Sequence, residues 1–95
     1  MGYQLVFRSP AGEQVVALDR PLVGGRDPSA DVPLDSVRVS RRHAEFSPTP
    51  QGVLVRDLGS RNGIMVNGQR ADQATIGPTD RVLLGDVAVT VSTGA

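Results

Sequence analysis

The chain has 95 residues, with ten arginines against ten acids, no lysine and no cysteine. That length supports one domain with a real core and not two. The missing cysteines exclude disulfide staples and thiolate metal sites, and the sequence has no apolar run long enough to span a bilayer as a helix. With no leader-like pattern at Met1-Gly2-Tyr3, a reducing, cytoplasmic setting is expected.

Tyr3 to Arg8 and Gln14 to Leu18 are β-rich segments around Ser9-Pro10-Ala11-Gly12, which predicts a hairpin. Leu22-Val23-Gly24-Gly25 predicts a third strand. Pro28 and Pro33 keep the next stretch irregular, with Asp31-Val32-Pro33-Leu34 at most a short edge piece. His43 to Ser47 resumes strand, and Pro48-Thr49-Pro50-Gln51-Gly52 turns the chain into Val53 to Leu58. There Val53, Val55 and Asp57 share one face while Leu54, Arg56 and Leu58 share the other. Ile64 to Val66 and Arg81 to Leu84 are short strands, separated by a polar stretch that opens on the turn signal Asn67-Gly68. Val87, Val89 and Val91 then alternate with Ala88, Thr90 and Ser92, giving a strand with one apolar face. No helical period is sustained, so the pattern predicts an all-β sandwich or barrel. Ser92-Thr93-Gly94-Ala95 reads as the start of a linker.

The net charge of zero hides an uneven distribution. Residues 36 to 64 carry Arg38, Arg41, Arg42, Arg56 and Arg61 against only Glu45 and Asp57, a net +3, whereas both flanking segments are net negative. Within that stretch, Ser40-Arg41-Arg42-His43 and Gly59-Ser60-Arg61-Asn62-Gly63 concentrate guanidinium, hydroxyl and amide donors in segments that should be loops, and Gly24-Gly25-Arg26 points the same way. Arginine presents planar, paired donors suited to phosphate or carboxylate, so these turns predict an oxyanion receptor.

Gly25-Arg26, Ser40-Arg41-Arg42-His43, Asp57-Leu58-Gly59-Ser60-Arg61-Asn62-Gly63 and Val66-Asn67-Gly68 resemble, in order and spacing, the signature of forkhead-associated domains. The resemblance covers almost the whole chain. It implies an antiparallel β-sandwich of about eleven short strands in two twisted sheets, with binding loops at one end. It also implies a site for phosphothreonine peptides. On that resemblance Arg26, Ser40 and Arg41 bind phosphate, with Ser60 and Arg61 beside them, and Asn62 holds the peptide backbone. His43 steadies the Ser40 loop as a structural residue. Gly25, Gly63 and Gly68 are expected at positive φ, and Asn67 is expected to brace its loop. Arg38, two residues before Ser40, is placed to meet an acidic side chain a few positions downstream of the phosphothreonine. One departure stands out: Ile64 occupies the place where members usually carry a threonine, so a bracing hydroxyl is missing.

A phosphothreonine carries roughly −1.5 to −2 charges and three strong acceptor oxygens, so its receptor needs converging donors. The implied partner is a phosphothreonine-containing protein or peptide, a Ser/Thr kinase or its substrate, with the chain acting as a module of a larger signalling protein. A hydrolase built from Ser40 or Ser60 with His43 and Asp57 would use the right residue types but lacks a nucleophile elbow. Nucleic-acid binding is disfavoured by the zero net charge and by aromatics, Tyr3, Phe7 and Phe46, that do not interleave with the arginines. A sandwich of this type that assembles with partners independently of phosphate is the remaining alternative. One histidine, no cysteine and scattered acids suggest neither metal nor cofactor.

Overall fold

The computed structural model describes residues 2–93 and places eleven strands in two sheets. They are β1 (Tyr3–Ser9), β2 (Gly12–Leu18), β3 (Leu22–Gly25), β4 (Val32–Pro33), β5 (Ala44–Thr49), β6 (Gly52–Asp57), β7 (Ile64–Val66), β8 (Gln69–Ala71), β9 (Gln73–Ile76), β10 (Arg81–Leu84) and β11 (Val87–Thr93). One sheet runs β2-β1-β11-β10-β7-β8, the other β4-β3-β5-β6-β9. Every pairing is antiparallel except β3 with the two-residue β4, where Gly24 meets Val32 in parallel register. The expected sandwich is therefore the observed fold, with that one parallel edge.

Alternation along the strands builds the core. Leu5 and Phe7 of β1, Phe46 of β5, Val53 and Val55 of β6, Ile64 of β7 and Val87, Val89 and Val91 of β11 all point between the sheets and are buried. Phe7 and Phe46 come from opposite sheets and meet edge to face, ring centres 5.5 Å apart, a geometry that the ring quadrupoles favour. Val53 and Val55 face inward while Arg56 stays outside, as alternation required.

Two strands were not visible in the sequence. β8 and β9 lie within the stretch read as merely polar, and each is the edge of its sheet; β8 buries no side chain, and the four-residue β9 turns only Ala74 and Ile76 inward. The predicted turn at residues 48 to 52 is narrower in the structure. Pro48 sits inside β5 opposite Val53, a position beyond the reach of β3, which pairs only as far as Leu22 with Phe46, so no ladder needs an N–H from Pro48. The expected linker begins later than its composition suggested. Ser92 and Thr93 pair with Gln4 and Tyr3 as the end of β11, and the remainder of that segment, Gly94 and Ala95, lies outside the described residues.

Phe46→Ala removes half of the inter-sheet aromatic pair and should lower stability by about 3–5 kcal/mol. Val15→Ala, at a side chain 58% exposed, should change it by less than about 0.5 kcal/mol. Urea denaturation midpoints of the two variants check this contrast.

Candidate functional site

The connections that carry the arginines are held against the end of β3 by backbone pairing. Arg26 N–H donates to Ser40 O at 3.0 Å, Asp27 N–H to Arg41 O at 3.2 Å, and His43 N–H to Gly24 O at 3.0 Å. Gly25 makes this approach possible, because a Cβ there would stand 2.0 Å from the Arg41 carbonyl oxygen. Its φ is not positive, contrary to expectation, so close approach and not conformation selects glycine at this position. Gly63 and Gly68 do take the expected left-handed backbone, at φ 71° and 85°.

His43 is completely buried between the two arginine-bearing loops. Its Nδ1 accepts from the Ser40 amide at 3.1 Å and its Nε2 lies 2.7 Å from the Gly63 carbonyl oxygen. An amide can only donate and a carbonyl only accept, so the proton sits on Nε2. One ring thus fixes the two loops relative to each other, as the structural reading of His43 expected. The same geometry dismantles the hydrolase alternative: Nδ1 meets the Ser40 amide and not a hydroxyl, and Asp57 binds Ser60 instead of the imidazole.

Ser40 crosses to the second loop through its hydroxyl oxygen, which accepts from Arg61 N–H at 2.9 Å. The hydroxyl proton has no acceptor among the described residues and is available to a ligand. Ser60 differs. Its hydroxyl donates to Asp57 Oδ1 and accepts from Gly63 N–H at 2.8 Å, and its own amide points at the same carboxylate. The expectation that Ser60 contacts phosphate is therefore replaced by a loop-bracing role, since both functions of the hydroxyl are occupied. The exposed Asn62 donates from Nδ2 to the Arg38 carbonyl at 2.7 Å, which leaves Oδ1 and a second N–H free.

Sequence reasoning missed the support on the far side of Arg38. In the β10–β11 turn, Asp86 accepts from the hydroxyl of Ser36, a buried residue. Gly85, at φ 62°, leaves room for the Arg38 carbonyl, which would stand 2.5 Å from a Cβ there. The signal was present as a Gly-Asp turn between two apolar runs.

Arg26 and Arg41 line one open depression of about 350 Å³, together with Asp27 and Pro28. Arg26 is anchored through Nε to Val39 O at 3.2 Å, which lays its guanidinium along the backbone leading into Ser40 and leaves its terminal nitrogens outward. Arg26 and Arg41 therefore share one surface depression, and the backbone carbonyl of Ser40 accepts from the Arg26 amide beside it. Arg42 and Arg61 are exposed close by, whereas Arg56 is held by Glu45 on the sheet at 3.0 Å. Asp27 is a carboxylate that sequence reasoning did not place here. Bonds from the Ser29 amide and hydroxyl, both 2.9 Å, hold it below the usual carboxylate range, and Arg41 and Arg42 add attraction.

Asn67 braces its hairpin as expected. At φ 52° it donates from Nδ2 to Asp80 Oδ1 and accepts from Arg81 N–H on Oδ1, both at 2.9 Å. Ile64 is fully buried in the core, and the brace that a threonine hydroxyl would give is replaced by Ser60 and His43, which hold the amide and carbonyl of Gly63.

Fold and loops together define a β-sandwich binding module that carries its site on the connections between strands. The family model for the FHA domain matches residues 22–85. The glycogen accumulation regulator GarA of Mycolicibacterium smegmatis is 40% identical over 91 residues, covering 95% of this chain and 58% of that protein. The FHA domain of the CT664 protein from Chlamydia trachomatis is similar in structure, with a TM-score of 0.88 at 30% identity over 100% of both chains. EmbR from Mycobacterium tuberculosis, in complex with a low affinity phosphopeptide, gives a TM-score of 0.80 at 28% identity over 97% of this chain and 25% of its own. The chain belongs to the forkhead-associated family. It spans little more than half the length of the curated relative it matches.

His43→Ala strands a buried amide and a carbonyl and opens a cavity, so stability should fall by about 2–4 kcal/mol in urea denaturation. The lowered carboxyls give a second expectation. Asp80 is held down first by the Gly77 amide and then by Asn67, and Asp27 first by the Ser29 amide. A carboxyl whose folded value lies below its unfolded one adds stability above the unfolded value and loses it as pH falls through the folded one. Both groups should titrate below 3.8 in carboxyl-carbon NMR, and Asp80→Ala should flatten the loss of stability in that acid window.

Proposed function

We propose that this chain is a phosphothreonine-dependent peptide-binding module that acts in Ser/Thr kinase signalling and catalyses no reaction itself. What supports this reading above all is that Arg26 and Arg41 line one solvent-open depression, with Ser40 bonded through its backbone to Arg26 and its hydroxyl proton without an acceptor among the described residues. The EmbR relative, seen with a phosphopeptide, points the same way. Hydrogen bonds to a charged group contribute about 1.5–3 kcal/mol each and a micromolar complex needs about 8 kcal/mol. Three or four contacts on the phosphate therefore suffice.

The roles divide by chemistry. Arg26, Ser40 and Arg41 take the phosphate oxygens, and the Arg61 guanidinium adds charge beside them. Asn62 binds the peptide main chain through its free carbonyl and remaining N–H, because an amide that donates and accepts fixes an extended backbone without reading side chains. Arg38, held to Asn62 through its own carbonyl, extends its side chain toward an acidic residue downstream of the phosphothreonine. The module is read as the whole of the chain, since β1, β2 and β11 complete the six-stranded sheet beyond the matched residues. The partner is a protein carrying phosphothreonine, a kinase or its substrate, in a cytoplasmic setting, and the chain is the regulatory part of a longer protein.

Calorimetric titration with matched phosphothreonine, phosphoserine and unmodified peptides tests the reading. The phosphothreonine peptide should bind tightest and the unmodified one not measurably, with Arg26→Ala and Ser40→Ala each weakening binding by about ten-fold or more. Equal binding of phosphorylated and unmodified peptides would replace it with phosphate-independent assembly.

A further inference from the structure

Arg70 on β8 has no part in the site described above, yet it reaches that site. A Cβ placed on Gly63 would stand 2.8 Å from Arg70 Nε and 2.9 Å from one terminal nitrogen, so the guanidinium lies flat against the Gly63 backbone, next to Asn62. The residue is exposed, and no acid among the described residues forms a salt bridge with it, in contrast to Arg8, Arg20 and Arg56. On its other flank opens a depression of about 450 Å³ between the edge strands of the two sheets, lined by Val66, Asn67, Gln69, Arg70, Ala71 and Ala74. The depression mixes the polar Asn67, Gln69 and Arg70 with the apolar Val66, Ala71 and Ala74, with no carboxylate among its lining.

We propose that Arg70 is a further specificity-determining residue, which pairs with an acidic side chain of the bound peptide as it leaves Asn62 and passes Gly63. The inference rests on the phosphothreonine reading and goes beyond it by placing a second cation, from a strand and not from a loop, on the peptide's path. The Arg61 amide touches the Ser40 hydroxyl, and Gly63 lies two Cα steps of about 3.8 Å further on, so the Arg70 guanidinium stands on the order of 10 Å from that hydroxyl. An extended peptide advances about 3.3 Å per residue, which puts the acidic partner about two to four residues from the phosphothreonine. Contact with Gly63 holds the guanidinium in place, so little side-chain entropy remains to be lost on pairing. The depression beside it leaves room for the approaching carboxylate.

The test is fluorescence anisotropy with an all-alanine phosphothreonine peptide and a series in which aspartate replaces each alanine in turn, on both sides of the phosphothreonine. Wild type, Arg70→Gln and Arg38→Gln are compared. At one position aspartate should tighten wild-type binding by about three- to five-fold. Arg70→Gln should lose that gain while binding the all-alanine phosphopeptide as wild type does, and Arg38→Gln should keep the gain at that position. Arg70→Glu should instead prefer lysine there. Survival of every aspartate gain in Arg70→Gln would overturn the inference, and so would an equal loss with every phosphopeptide, which would make Arg70 only a cover for the Gly63 backbone. Phosphate-dependent binding with no aspartate gain at any position sinks the acid pairing of Arg70, and that of Arg38, while leaving the phosphothreonine reading standing. Failure of wild type to distinguish the all-alanine phosphopeptide from its unmodified twin sinks the phosphothreonine reading and Arg70 with it.

Discussion

The imidazole of His43 ties the Ser40 amide on one connection to the Gly63 carbonyl on the other, and the arrangement of the binding end depends on that bridge. Neither connection, between β4 and β5 or between β6 and β7, is itself a strand, and the first is held to the end of β3 only by a few backbone bonds. Without a buried acceptor the Ser40 amide would turn outward in search of water, carrying the hydroxyl away from Arg26. The ring works because it presents an acceptor and a donor on opposite edges in a space sealed from solvent, where each bond is strong and its loss costly. A single histidine in an arginine-rich turn invites a catalytic assignment. Its complete burial, and partners drawn only from the backbone, make it a strut.

Around this strut the backbone groups of the two loops are satisfied internally while the side-chain heads are left free. Gly25 lets residues 40 to 43 lie against β3, Ser60 closes its own turn on Asp57 and Gly63, and Asp86 secures Ser36. The hydroxyl of Ser40 shows the division within one group: its oxygen accepts from Arg61 N–H and belongs to the scaffold, and its proton has no acceptor among the described residues. A receptor assembled this way has little ordering left to do when its ligand arrives, which is where affinity is commonly lost.

Sequence made the class of fold and the site's location legible, for reasons that can be traced residue by residue. Val53, Val55, Val87, Val89 and Val91 alternate strictly and therefore declared their buried faces. β8 and β9 did not, because β8 buries no side chain and the inward Ala74 and Ile76 of β9 make only one short alternation. Motif order singled out Arg26, Ser40 and Asn62 on these loops, but it gave Ser60 a ligand's role, where the structure shows its hydroxyl bonded to Asp57 and Gly63. It also assigned Gly25 to backbone conformation when the constraint is the Arg41 carbonyl packed against it. Both errors share a cause: a residue type states what a side chain can donate or accept, and only tertiary neighbours state whether that capacity is already taken. Asp27 and Arg70, which lie next to the motifs, and the Gly85-Asp86 turn were overlooked for the same reason, since only the folded chain shows what they touch.

Arginine is the only basic residue type in this chain besides His43, so its abundance alone carries no information and its pairing carries a great deal. Arg8, Arg20 and Arg56 are joined to Glu13, Asp31 and Glu45, where exposed ion pairs contribute little to stability. Arg26, Arg38, Arg41, Arg42, Arg61 and Arg70 converge on the loops or their rim without such a partner among the described residues. Like charges brought together repel, so this end of the sandwich is destabilised by its own potential, and that repulsion is relieved when an anion with about two negative charges enters. Asp27 limits the strain in the empty state. Held by Ser29 and attracted by Arg41 and Arg42, its carboxylate sits at the depression's wall as a fixed counter-charge, weaker than a phosphate and unable to leave. The same carboxylate would repel an incoming anion, so on the phosphothreonine reading the free energy a phosphate gains is the difference between what the arginines offer and what Asp27 already neutralises.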